Sequence, residues 1–208
     1  MQFFRLGVTY EERALFGGNR TGKTLCGCYE DTLHLTGQYP DWWEGIRWPH
    51  AVDMWVATDT AKNTRDILQD KLCGKHGDAA AFGTGMIPGD LIIRPTVKHG
   101  LADAFETVYV RHVPTGGVSS VQFKSYDQGR VAFQGTAQHH IHLDEEPDLE
   151  IYAECLMRIM TTNGRLILTE TPLLGISDLM LQYMPELNPD PDIEKPKDAW
   201  EETGEANG

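Results

Sequence analysis

Gly17-Gly-Asn-Arg-Thr-Gly-Lys-Thr24 decides the fold of this chain. The spacing G-x-x-x-x-G-K-[ST] is that of a phosphate-cradling P-loop, or Walker A motif. Gly17, Gly18 and Gly22 let the backbone curl around a phosphate chain and aim N–H groups at it. Asn19, Arg20 and Thr21 complete the loop. Lys23 offers a positive charge to the β- and γ-phosphates, and Thr24 offers a hydroxyl to Mg2+. The helix expected next adds its positive N-terminal end. The flanks agree. Residues 13–16 are short and apolar, as a buried strand should be, and residues 24–33 carry apolar residues at helical spacing, with Gly27 the weak point.

Outward from the loop, His140-Ile-His-Leu-Asp-Glu-Glu-Pro147 reads as a strand ending in an acidic pair, a Walker B motif. Asp144 is placed to hold Mg2+ through its water shell, and Glu145 to polarise an attacking water as general base. Alternation at a strand end sends the two carboxylates in different directions. A solvated acidic turn before Pro147 is the alternative, and the upstream loop favours the catalytic reading. His140 and His142 interrupt the apolar run, which requires their ring nitrogens to be hydrogen-bonded if buried. A third strand, Leu166-Ile-Leu-Thr-Glu-Thr-Pro172, ends in hydroxyls that could sense a γ-phosphate and pass its presence to a moving segment.

Taken in order, these motifs resemble the ATPase domain of bacteriophage large terminase subunits, through most of residues 3–184. The resemblance also rests on Phe3-Phe4 before Thr9-Tyr-Glu-Glu-Arg13, on Gln69-Asp-Lys-Leu72, and on Phe123-Lys-Ser-Tyr-Asp-Gln-Gly129. Phe133-Gln-Gly-Thr136, Asp144-Glu-Glu-Pro147 and Thr171-Pro-Leu-Leu-Gly-Ile-Ser177 complete it. It implies a P-loop NTPase that binds ATP and Mg2+ and drives double-stranded DNA into a procapsid. The implied partners are a portal protein, a small terminase subunit and further copies of the chain in a ring, in the cytoplasm of the infected bacterial host. Motif by motif, it gives Lys23 and Thr24 to phosphate and Mg2+, Asp144 to Mg2+, and Glu145 to catalysis. It makes Thr169, Glu170 and Thr171 the segment coupling hydrolysis to movement. Three departures stand out. The family's loop arginine, four residues before the lysine, is replaced by Asn19, with Arg20 one place later, there either to reach the γ-phosphate or to pack the loop. The family's adenine-recognising glutamine precedes the Phe-Phe pair by a few residues, whereas Gln2 directly precedes Phe3. A nuclease domain of RNase H-like fold is expected to be absent, and nuclease activity with it.

The rest of the chain fits an α/β protein with a mainly parallel central sheet flanked by helices. Its 208 residues suit one such domain, residues 1–184, with a tail. Residues 52–58 read as a strand, 63–72 as a helix, and 150–160 as a helix. Residues 91–94, 107–113 and 118–124 read as shorter, partly antiparallel strands. No run is long enough to cross a membrane. The four cysteines form no C-x-x-C pair, so reduced thiols are expected. His140 and His142 would share a strand face, but no third metal ligand is evident in the sequence. The net charge of −13 is unusual for a protein that handles DNA. Residues 185–208 hold eight acids against two lysines and four prolines, and read as linker or disorder. The remainder is still acidic, so DNA binding by the isolated chain should be weak.

A ring ATPase often completes its site with a neighbour's arginine, for which Arg158 and Arg165 are candidates; a surface salt bridge is the alternative for each. Two other functions compete with the packaging motor. A helicase would need motifs that this length lacks. A remnant that binds nucleotide without motor activity would show no ATPase stimulation by procapsids.

Overall fold

Strands β6 (His140–Asp144) and β7 (Arg165–Glu170) are buried at every residue, as strands covered on both faces must be. They lie in a seven-stranded sheet of order β1-β7-β6-β2-β5-β4-β3 in the computed structural model, which describes residues 2–172 and 175–184. β1 (Glu12–Phe16), β7, β6, β2 (Asp53–Thr58) and β5 (Val118–Ser125) run parallel. β4 (Phe105–Arg111) and β3 (Ile92–Val97) close the far edge antiparallel. Pro95 sits in β3, the edge strand, where a missing N–H breaks no ladder on the open side. The sheet is thus mainly parallel with an antiparallel wing, and helices flank it.

Alternation assigns the two faces. Met54 and Val56 of β2 pair in register with His140 and His142 of β6, and so share a face with them. Helix α2 (Lys23–Thr36) covers this face, contributing Cys28 and Leu35 to a core that also holds Leu68, Leu72, Val121 and Phe123. Trp55, Ile141, Leu143, Leu166 and Leu168 take the opposite face, where α5 (Leu149–Met160) buries Ile151, Tyr152, Cys155 and Ile159. α2 begins at Lys23 after Gly22 and ends at Gly37, whose left-handed backbone (φ 69°) lets its N–H return to Leu33 O. The region expected as one helix over 63–72 is compound: α3 (Ala61–Asn63), a π turn (Thr64–Gln69) and α4 (Asp70–Cys73). Gln69 uses its amide to bond Asp103 O and Phe105 N, which fixes the start of β4. A short helix, α1 (Gln2–Leu6), precedes β1.

The chain divides into two compact units, residues 1–171 and 172–208. In the second, α6 (Asp178–Tyr183) is capped by the Ser177 hydroxyl, which accepts from Met180 N at 3.1 Å. The tail expected over 185–208 lies outside the described residues.

Beneath α2 lies a polar core. Glu30 is fully buried and receives both terminal nitrogens of Arg13 on β1, at 2.7 and 3.3 Å, with His34 Nε2 at 3.2 Å. Burial alone would raise the Glu30 carboxyl, but the Arg13 guanidinium holds it well below the usual carboxylate range. Arg13 also donates to Phe3 O and lies over the Phe3 ring, tying α1 to the sheet. Removing one partner of such a pair strands the other charge in a medium that cannot solvate it. Arg13→Met should therefore lower the unfolding free energy by about 3–5 kcal/mol, read from urea denaturation. A loss below ~1 kcal/mol, typical of exposed pairs, would show that water reaches Glu30.

Candidate active site at the carboxyl ends of the strands

The loop leaves β1 beside β7, and the ladder continues one step into it through Gly17 N to Glu170 O at 3.2 Å. Its path then needs backbone that few residues adopt. Gly22 has φ 89°, and Arg20 has φ 62°, a left-handed conformation that costs a side-chain-bearing residue about 1–2 kcal/mol. Thr21 Oγ1 donates back to Gly18 O at 2.9 Å and closes the curl. Among the described residues, the backbone N–H groups of residues 18–24 have no hydrogen-bond partner. A row of unpaired amides at the start of a 14-residue helix is an anion-binding concavity.

Lys23 folds back into this curl. Its buried Nζ donates to Gly18 O at 3.0 Å and to Thr171 Oγ1 at 2.7 Å. The loop is thereby bonded to the segment after β7. Thr24 donates to Asp144 Oδ1 at 2.8 Å, and Thr169 donates to the same oxygen at 2.6 Å. Asp144 and Thr169 are register partners on β6 and β7, so both face α2. Oxygen donors of this kind, one hydroxyl and one carboxylate, suit Mg2+.

Glu145 is the first residue past β6 and has φ 67°. Its N–H bonds Thr169 O at 2.8 Å and its carboxylate accepts from Thr171 N at 3.3 Å. Tyr126, from the Lys-Ser-Tyr-Asp-Gln-Gly run, points its hydroxyl at Glu145 O (2.9 Å) and Asp144 O (3.2 Å). These bonds hold the acidic pair in a conformation that strand backbone would not otherwise take. Burial raises the Glu145 pKa above the ordinary carboxylate value. Glu170 is pushed further, from 4.5 up to about 7, by burial and then by the Glu146 carboxyl.

Arg20 is exposed in the loop, its guanidinium hydrogen-bonded to no described residue. Asn19 is exposed beside it. Arg158, on α5, pairs with Glu154 at 2.8 Å and donates to Gly135 O. Arg165 is buried at the opposite end of β7 from Thr169 and gives its guanidinium to the carbonyls of Gly7, Asn163 and Gly164.

His142 finds its acidic partner on α2, whereas neither ring nitrogen of His140 makes a hydrogen bond to a described residue. Asp31, fully buried, accepts from His142 Nδ1 at 2.7 Å and lies 3.1 Å from His140 Nε2. His142 Nε2 bonds Thr169 Oγ1 at 2.9 Å. Burial by itself would lower the His142 pKa; the Asp31 carboxylate outweighs it and leaves the pKa raised. Burial dominates at His140, which drops to about 4. Cys28 approaches Asp31 and His142, and Glu30 and His34 approach His140, closely enough for shared ions. The Asp31–His142 hydrogen bond already closes the first group, and burial keeps Cys28 a thiol, which is a poor ligand. The sequence did not reveal Asp31 or Glu30 as partners. The available signal was two adjacent acids in mid-helix on an element that must be buried.

The family described as "Terminase large subunit, T4likevirus-type, N-terminal" matches residues 14–203. The terminase large subunit of Salmonella phage P22 is 33% identical over 199 residues, 88% of this chain and 40% of that protein. The chain therefore spans well under half of that relative. The large terminase ATPase domain of Thermus phage P74-26 is similar in structure, with a TM-score of 0.55 at 15% identity over 84% of this chain and 65% of that one. A large terminase from another thermophilic bacteriophage gives 0.53 at 12% identity over 79% of this chain and 35% of that one. These likenesses bear out the P-loop NTPase fold.

The raised Glu170 carboxyl makes stability depend on pH in a stated direction. The folded chain keeps a proton that the unfolded chain loses above about 4.5, so this group's contribution is full below 4.5 and is lost as pH rises through 7. Glu170→Gln should gain thermal midpoint on wild type as the buffer moves from about pH 5 to about pH 8. A constant difference across that range would mean that Glu170 ionises normally.

Proposed function

This chain belongs to the T4likevirus-type terminase large subunit family, in its N-terminal part, and we propose that it hydrolyses ATP to drive double-stranded viral DNA into a procapsid. One observation carries this reading: Lys23, Thr24, Asp144, Glu145 and residues 169–171 converge at the carboxyl ends of three adjacent parallel strands, where open α/β sheets bind ligands.

In this reading the free amides of residues 18–24 cradle the phosphates and Lys23 takes a charge-assisted bond to the β- and γ-oxygens. Thr24 and Asp144 would hold Mg2+, which supplies charge neutralisation to the phosphates when bound. Glu145, held off the strand by its left-handed backbone, orients a water and accepts its proton; a raised pKa suits a general base. Arg20, exposed in the loop, is free to reach the γ-phosphate and stabilise the charge that develops there. Lys23 cannot grip phosphate and keep Thr171 at full strength, so arrival of the γ-phosphate loosens Thr171, just past the end of β7. That loosening is the proposed start of coupling to movement.

The portal, small-subunit and ring contacts implied by the family belong to this same proposal. Arg158 is the better candidate for a neighbour's finger, since it is partly exposed while Arg165 is committed to three carbonyls. The acidity of the chain fits weak DNA binding in isolation, with grip supplied by local basic loops, a nuclease domain or the assembled ring.

The test is turnover against binding. Glu145→Gln should cut Mg2+-dependent ATP hydrolysis by about 100-fold or more while leaving nucleotide affinity within about twofold. Lys23→Ala should lose affinity itself. Unchanged turnover in Glu145→Gln would remove the general-base assignment.

A further inference from the structure

His142 faces α2 two residues before the strand end, and it occupies a continuous buried relay. Asp31 on α2 accepts from its Nδ1 (2.7 Å), its Nε2 meets the Thr169 hydroxyl (2.9 Å), and that hydroxyl meets Asp144 Oδ1 (2.6 Å). All four side chains are buried, so water does not substitute for any partner. A hydroxyl has one proton. Donating it to Asp144, Thr169 must accept from His142 Nε2, while Nδ1 donates to Asp31. Among the described residues Asp144 is hydrogen-bonded through Oδ1 alone, taking Thr24 and Thr169 there. Its second oxygen is left for another partner.

The helix is shaped for this ring. A Cβ at Gly27 would fall inside the van der Waals envelope of the His142 imidazole. Helix propensity alone favours Ala over Gly. The glycine that weakens α2 lets the imidazole lie against the helix and reach Asp31 from one nitrogen and Thr169 from the other.

We infer that His142 is a positioning residue for ATP hydrolysis: anchored on α2 by Asp31, it fixes the Thr169 hydroxyl so that its proton points at Asp144 and keeps that carboxylate in one orientation. It ties α2, the helix that follows the phosphate loop, to the end of β7, without touching substrate. This rests on the ATPase reading above.

The experiment uses the full chain and steady-state ATP hydrolysis. His142→Asn keeps a group near Nδ1 and loses the one at Nε2, whereas His142→Gln places an amide where Nε2 stands. His142→Asn should lower kcat about 10–100-fold, the size of effect seen for groups that orient a ligand, with KM for ATP within about twofold. His142→Gln should recover most of that loss. In a Thr169→Val background His142→Asn should have no further effect, because the bond it acts through is gone. Gly27→Ala, which displaces the ring and keeps its chemistry, should repeat the kcat loss with KM unchanged, and stands in if His142→Asn does not fold. Turnover by wild type with equal kcat in His142→Asn or Gly27→Ala would overturn the positioning role alone. So would the same fold-loss with and without Thr169. Absence of turnover in wild type would overturn the hydrolase reading and this role with it.

Discussion

Two neighbouring carboxylates, Glu30 and Asp31, lie fully buried between α2 and the sheet, and the placement of that helix follows from their need for partners. A carboxylate removed from water costs several kcal/mol unless it is paired and hydrogen-bonded. Apolar contact would let α2 slide or rotate over the strands at small cost. Charges do not allow this. Glu30 takes the Arg13 guanidinium from β1, and Asp31 takes His142 of β6. The helix is thus registered against the strand that enters the phosphate loop and the strand that ends in the acidic pair.

Strand alternation does the rest. Because β6 and β7 pair in register, His142, Asp144 and Thr169 fall on the α2 face, while Ile141 and Leu143 fall on the α5 face. One face of two adjacent strands becomes a polar line leading to the loop, and the other stays apolar. Glu145 leaves this alternation through its positive φ. That conformation costs about 1–2 kcal/mol for a residue with a side chain, and it persists because Thr169 O, Thr171 N and the Tyr126 hydroxyl all hold it.

Much of this was legible from residue order. The loop, the acidic pair and the Thr-rich strand end each carry a local pattern, and local patterns survive without knowledge of contacts. So do buried parallel strands, which read as apolar runs, and the alternating β5. What the order does not carry is which element covers which face. Asp31 and His142 are far apart in the chain, and nothing near either one announces the other. Gly27 reads as a defect in a helix until the imidazole above it is seen. Tyr126 reads as part of a family phrase until its hydroxyl is found on the carbonyls of Asp144 and Glu145. The π turn at Thr64–Gln69 has no signature in the order either, since its apolar spacing over a few residues matches an ordinary helix.

The Lys23 and Thr24 side chains are already hydrogen-bonded within the protein although the loop's amides are free, and this has an energetic consequence. Lys23 is bonded to Gly18 O and Thr171, and Thr24 and Thr169 share one oxygen of Asp144. In the proposed reaction a phosphate must take Lys23 from a neutral hydroxyl. The new bond is stronger, since both partners are charged where the hydroxyl is neutral. The exchange therefore favours the nucleotide, and part of its binding free energy goes into freeing Thr171. Linkage makes the relation reciprocal: whatever pulls Thr171 away from Lys23 raises the lysine's affinity for phosphate by the same factor. In the proposed motor, load on the segment that holds Thr171 would then alter nucleotide affinity at a loop it does not contain, through a single lysine bonded to both.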